Sequence, residues 1–346
     1  MTTWVPDLLG AGFEQTTLEL GTESDGPVVA TLVRHVPEST SSSARTPASA
    51  GTADGAGRTA VLHVHGFNDY FFQRHVAERL AAEGYAFYAL DLRRCGRSLR
   101  PGQSAHYVAD LRDLVPDLTA AARLIRVEAG HPRLVVLAHS TGGLVAALWA
   151  HSLRSAGVID ALVLNSPWFD LNARWFHRVV STRVLDAVSP LDPMRVVASG
   201  HSAYSHHLHV SNGGRWDYDL SLKSPEGSPV RAGWLRAIRR GQARLALGLD
   251  VRAPVLVTAS GASGPNRPDN PDLDAQDTVL DVRQIVDRAP LLGKDVTVVQ
   301  IPGGVHDLSL SAEGPREEWF RVVLDWLAAL SLQEVPRSVD LRRGAP

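Results

Sequence analysis

The stretch that most constrains this chain is Leu134 to Ala150, LVVLAHSTGGLVAALWA. It reads as an apolar strand, a sharp turn carrying Ser140, and an apolar helix. A strand that turns straight into a helix forces its corner residue into a strained conformation and lifts the side chain clear of the backbone. The residues two before and two after the corner pass close to it, so they must be small. Here they are Ala138 and Gly142, and Gly143 eases the helix against the sheet. This order of elements demands a sheet with helices packed on it. It also makes Ser140 the candidate nucleophile, with a helix N-cap as its plain alternative.

The rest of the chain repeats the rhythm. Residues 13–20 and 28–36 read as an opening pair of strands, and 38–58, rich in Ser, Thr, Ala and Gly, as a flexible surface loop. AVLHVHG, AFYALDL, LVVLAH and ALVLNS are short continuous apolar strands. Helical stretches separate them, as in a parallel sheet covered on both faces. The rhythm breaks over 167–250, where helices are expected near 172–186 and 230–248, and resumes at APVLVTAS and DVTVVQIPG before a last helix, PREEWFRVVLDWLAAL. The predicted organisation is an α/β core over 1–166 and 251–335, a largely helical cap or lid over 167–250, and a tail over 336–346. The cap would cover the carboxyl edge of the sheet, where open α/β folds hold ligands.

Bulk properties exclude several classes. A net charge of −2 over 346 residues gives no electrostatic case for nucleic acid or an acidic membrane surface. No apolar run is long enough to span a bilayer. The single cysteine, Cys95, rules out an internal disulfide framework, and no secretory signal is evident at the N-terminus, so a cytoplasmic protein is expected. A monomer and a homodimer are both compatible with these properties.

A serine hydroxyl needs a base to take its proton, and the base needs an acid to orient it. On this type of fold the chain order is serine, acid, histidine. His306 follows the strand TVVQI and the turn PGG, in the place of the base, with a solvent-facing loop histidine as its plain alternative. Asp277, opening DTVLDV after the strand VLVTAS and a long polar loop, is the candidate acid, with Asp281, Asp274 and Asp170 as rivals. Stabilising the oxyanion of a tetrahedral intermediate takes preorganised N–H donors, each worth roughly 3 kcal/mol of barrier. The backbone N–H of Thr141 and of Phe67, in HGFND, are the candidates. No cofactor is needed. His63 and His65, and the cluster His206, His207 and His209, lack a recognised ligand spacing, so no metal is expected. A core role, or a hydrogen-bonding role near the oxyanion loop, suits His63 and His65 better.

Together HGFNDY (65–70), GYAFYALDLRRCGRS (84–98), AHSTGG (138–143), DTVLDV (277–282) and PGGVHDL (302–308) resemble the α/β-hydrolase superfamily. Within it they are similar to the monoacylglycerol lipase, lysophospholipase and serine aminopeptidase branch. In that family the Asp opening the DTVLDV-like motif is the triad acid, which agrees with Asp277. The departures are Ala138, where many relatives have glycine, and the long loop 261–275 ahead of the acid.

The resemblance implies a serine hydrolase cleaving carboxylic esters of monoacylglycerol, lysophospholipid or similar acyl type. The aromatics of the cap region, Trp168, Phe169, Trp175, Phe176, Trp216, Tyr218 and Trp234, supply either its core or the wall of an apolar acyl pocket. Of these Trp168, Phe169, Trp175 and Trp216, together with His139, are candidate substrate contacts. A proline-releasing aminopeptidase is the alternative within enzymes, but it needs paired carboxylates in the cap for a substrate ammonium, and 167–250 shows no such motif. A non-catalytic binding protein on the same scaffold is the alternative outside them.

Overall fold

The computed structural model describes residues 2–37, 57–171, 189, 191–199 and 202–330. The apolar runs become strands in chain order: β1 (Val5–Pro6), β2 (Phe13–Glu23), β3 (Gly26–His35), β4 (Ala60–Val64), β5 (Ala86–Asp91), β6 (Leu134–His139) and β7 (Ala161–Asn165). The chain then leaves the sheet, forms a separate antiparallel ribbon of β8 (Val196–Ala198) and β9 (Val230–Arg231), and returns as β10 (Val255–Ser260) and β11 (Val296–Ile301). The main sheet has the order β1-β2-β3-β5-β4-β6-β7-β10-β11. Pairing is antiparallel from β1 to β5 and parallel from β5 to β11.

The helices are α1 (Arg74–Ala82), α2 (Val115–Arg123), α3 (Thr141–Ser152), α4 (Ala203–Leu208), α5 (Ala232–Ala246), α6 (Val282–Arg288) and α7 (Glu313–Ala329). Strands β4 to β7 and β10 are buried along their whole length, which is why they read as unbroken apolar runs. Side chains of one strand alternate between two cores. Leu62 and Val64 of β4 join Leu118 of α2, Trp149 of α3, Leu235 of α5 and Ile285 of α6 on one face. Val61 points the other way, to Leu80 of α1 and Trp319 and Val323 of α7.

Between β7 and β10 the ribbon is a departure from the largely helical segment expected there. Its two strands are two and three residues long, too short to leave a periodic signal. Helix α5 falls within the expected 230–248, whereas the helix expected near 172–186 lies outside the described residues, as do nearly all of the 38–58 loop and the 336–346 tail. Among the described residues no helix is long and apolar enough to cross a membrane.

The sheet order sets the place of the site. β4 lies between β5 and β6, so the chain leaves the carboxyl ends of β4 and β6 in opposite directions, and a crevice opens between the two connections. The loop carrying Phe67 follows β4, and Ser140 follows β6.

Candidate active site

Ser140 sits at the corner between β6 and α3 with φ 53° and ψ −118°. A non-glycine residue holds a positive φ only when its surroundings over-determine it. Here the Ser140 N–H donates to the Asn165 carbonyl at 3.0 Å, and its own carbonyl accepts from the N–H groups of Gly143, Leu144 and Trp168. The small residues are needed as close approach requires. A Cβ on Gly142 would lie 2.3 Å from the His65 carbonyl oxygen, and one on Gly143 2.7 Å from Pro167 Cβ.

His306, in the turn after β11, holds Nε2 at 3.0 Å from Ser140 Oγ and Nδ1 at 2.9 Å from Asp277 Oδ2. The other Asp277 oxygen accepts from the N–H groups of Val279 and Leu280, both at 2.8 Å, so the carboxylate is fixed at both ends. With a carboxylate acceptor on one side, the imidazole proton belongs on Nδ1, leaving Nε2 to accept from the serine hydroxyl. All three groups are buried. The long loop before Asp277 does not disturb it: the Asp277 N–H donates to Ala262 O, and its carbonyl accepts from the Gly264 N–H, so the loop leaves and returns at one point. The rival acids are engaged elsewhere. Asp170 pairs with Arg288, Asp274 with Arg215 and His207, and Asp281 caps α6 and pairs with Arg283.

The loop carrying Phe67 is held from behind. His65 Nε2 accepts from the Leu92 N–H at 3.1 Å, so Nδ1 carries the proton it shares with the Gly66 carbonyl at 2.7 Å. In a trans peptide the C=O and N–H point in opposite directions, so fixing the Gly66 oxygen also aims the Phe67 N–H. The Thr141 N–H is the first of α3 and has no acceptor within the helix. His63 has the core role of the two expected, packing on Phe71 and Phe87, and burial lowers its pKa to about 4. Asp91 receives Arg97 and the N–H of Phe71, tying the turn after β5 to the segment that follows the Phe67 loop.

A cavity of about 390 Å³ lies over Ser140 and His306. One wall is aromatic: Phe67 packs on Trp234 with ring centroids 4.1 Å apart, and Trp168 lies 5.9 Å from Trp234. The rest is mostly polar, including Asn68, Ser202, Ser205, Lys223, Ser228, Asn266 and Thr278. His139 and Trp168, both candidate contacts, line it. Phe169 and Trp216 do not. Phe169 is buried in the core with α2 and α3, and Trp216 stacks on His75 and donates to Leu310 O. Trp175 lies outside the described residues. No periodic signal in the sequence separates a pocket aromatic from a core one.

Two residues at the site, Asp69 and Asp307, lie inside the quoted motifs without being candidates themselves. Asp69, His139 and Asp307 bring ligand atoms within 4.8 Å of one another, but each has protein partners. Asp69 is salt-bridged to Lys223, His139 Nδ1 contacts Asn165 O, and Asp307 accepts from Asn165 and Ser309. Burial would raise the Asp307 pKa, but His139 and these hydrogen bonds outweigh it and hold it well below the usual carboxylate range. His207 and His209 face separate partners, Asp274 for the first and Ser211 with Tyr218 for the second. The position of Asp307 beside His306 and of Asp69 in HGFND was the available signal.

Residues 55–310 match the family model described as serine aminopeptidase, S33. The chain is 31% identical over 268 residues to a monoacylglycerol lipase of Mycolicibacterium smegmatis, covering 74% of this chain and 84% of that protein. It superposes on a monoglyceride lipase from Saccharomyces cerevisiae with a TM-score of 0.65 at 14% identity, covering 92% of this chain and 97% of the other. On a monoacylglycerol lipase from Paleococcus ferrophilus the TM-score is 0.54 at 18% identity, covering 80% and 97%. The chain therefore belongs to the serine aminopeptidase S33 family of the α/β-hydrolase superfamily and is a serine hydrolase.

Proposed function

We propose that the protein hydrolyses carboxylic esters of the monoacylglycerol or lysophospholipid type through a Ser140–His306–Asp277 triad, with residues 167–250 as a cap over the site. The observation that carries this reading is the continuous hydrogen-bonded chain from Ser140 Oγ through His306 to Asp277, at the base of a cavity with an aromatic wall. Ser140 Oγ attacks the ester carbonyl as His306 Nε2 takes its proton, and the N–H groups of Phe67 and Thr141 receive the oxyanion. The imidazolium, oriented by Asp277, then protonates the leaving alcohol. Water activated by the same histidine releases the acid and restores Ser140.

The aromatic wall of Phe67, Trp234 and Trp168 suits an acyl chain, and the hydroxyl- and amide-rich remainder suits a polar alcohol. An aminopeptidase would hold a substrate ammonium on a free carboxylate. The carboxylates among the described lining residues are Asp69, neutralised by Lys223, and Asp307, engaged by Asn165 and Ser309. This favours esters over aminoacyl substrates.

The test is turnover of p-nitrophenyl esters from acetate to palmitate and of a monoacylglycerol, beside proline and alanine p-nitroanilides, with Ser140→Ala as control. Serine-dependent ester turnover that peaks at medium or long chains is expected. Anilide turnover without ester preference would move the protein to the peptidases, and labelling by a fluorophosphonate absent at Ser140 would leave a non-catalytic scaffold.

A further inference from the structure

The loop that bears Phe67 is held from two sides. His65 grips it from the sheet. On the cavity side a segment roughly 150 residues away in sequence grips it again. Lys223 Nζ donates to Asp69 Oδ1 at 2.7 Å, with both side chains buried. Asn68 Nδ2 donates to the Ser224 carbonyl, and Asn68 Oδ1 accepts from Ser228 Oγ, both at 2.9 Å. The N–H of Asp219 donates to the Tyr70 hydroxyl at 2.8 Å. Asn68 itself has φ 53°, a left-handed conformation in the residue directly after Phe67. Such a conformation persists only where neighbours impose it, and here both ends of its amide are tied to 224–228.

We propose that Lys223, together with Ser228, positions the oxyanion loop, so that the inserted segment completes the catalytic site as well as covering it. This rests on the reading of the Phe67 N–H as an oxyanion donor. The Phe67 N–H and the Asn68 and Asp69 side chains belong to one short loop, so a shift at Asp69 turns the peptide that carries the donor. Oxyanion donors act only when the charge develops, and displacement of about 1 Å is enough to cost on the order of 10²-fold. The defect from losing the clamp therefore belongs in kcat. Lys223 also lines the cavity, and a residue that merely contacted substrate would affect KM instead.

The experiment measures kcat and KM on the p-nitrophenyl ester the wild type turns over best, with the rate of fluorophosphonate labelling of Ser140 alongside. Lys223→Met is expected to lower kcat and labelling rate about 10- to 100-fold, with KM changed less than about threefold. The pair Asp69→Asn/Lys223→Gln keeps a hydrogen bond across the gap without burying a lone charge, and is expected to recover most of the rate. Ser228→Ala removes one hydroxyl and is expected to lower kcat about 3- to 10-fold; it decides the question if Lys223→Met does not fold. Wild-type kcat in Lys223→Met and Ser228→Ala, or a loss confined to KM, overturns the clamp while the triad stands. Ester turnover that persists in Ser140→Ala overturns the triad reading itself, whatever the Lys223 variants do.

Discussion

Asp277 shows how far a single residue can be read. Its order in the chain and its motif singled it out among four aspartates, but the decisive facts are spatial: Oδ2 faces His306 Nδ1, and Oδ1 is tied to two backbone N–H groups. Asp277→Asn is expected to lower kcat roughly 10⁴-fold, because an amide offers the imidazole the wrong tautomer while preserving the geometry. Asp281→Asn, which keeps the helix cap, and Asp170→Asn are expected to stay within about twofold of wild type in the same steady-state assay. A large loss in either, with Asp277→Asn active, would reassign the acid. Trp216 and Phe169 mark the opposite limit. Their side chains suit a pocket as well as a core, and only packing assigned them to His75 and to the central core.

At the scale of elements, the elbow between β6 and α3 was legible because the constraint is local. A continuous apolar run, a corner serine and three small neighbours leave little choice of geometry. The reason Gly142 must be glycine is not local, however: α3 starts against the end of β4, with the His65 carbonyl 2.3 Å from where a Cβ would stand. Because the obstacle is backbone, it cannot rotate away. Gly142→Ala is expected to destabilise by about 1–3 kcal/mol in urea unfolding and to lower kcat, since the same shift moves the N–H groups of Thr141 and of the Phe67 loop, the proposed oxyanion donors. A variant with wild-type stability and rate would show that the two elements have room to separate. The β8–β9 ribbon and the short α4 were not legible, since elements of two to six residues carry too few positions for a period.

For the whole molecule, the buried histidines set a pH dependence. Burial lowers the pKa of His63 to about 4 and of His106 to about 3, against about 6.5 in an unfolded chain. Below pH 6.5 the unfolded chain binds protons that the native state refuses, so stability falls as pH drops from about 6.5 towards 4, by about 2 kcal/mol per histidine at pH 5. Asp307 acts in the same sense but in a lower window, its lowered pKa giving stability that is fully present above the ordinary carboxylate range and is lost as pH falls through it. Urea midpoints at pH 7 and pH 5 should therefore differ, and His63→Phe should reduce the difference. An unchanged midpoint at pH 5 would mean that these rings gain a partner on protonation.

By itself the sequence determined the α/β architecture and the strand-to-helix corner at Ser140, and it put His306 and the HGFND loop forward as candidates, because each is written in a contiguous motif whose geometry follows from neighbours a few residues away. The tertiary structure alone decided which aspartate faces the histidine across a closed loop, which aromatics line the cavity, and that Lys223 reaches Asp69 from the inserted segment. Those contacts join residues far apart in the chain. A salt bridge or a packed ring leaves no periodicity at either end, so it becomes visible only when folding brings the two ends together.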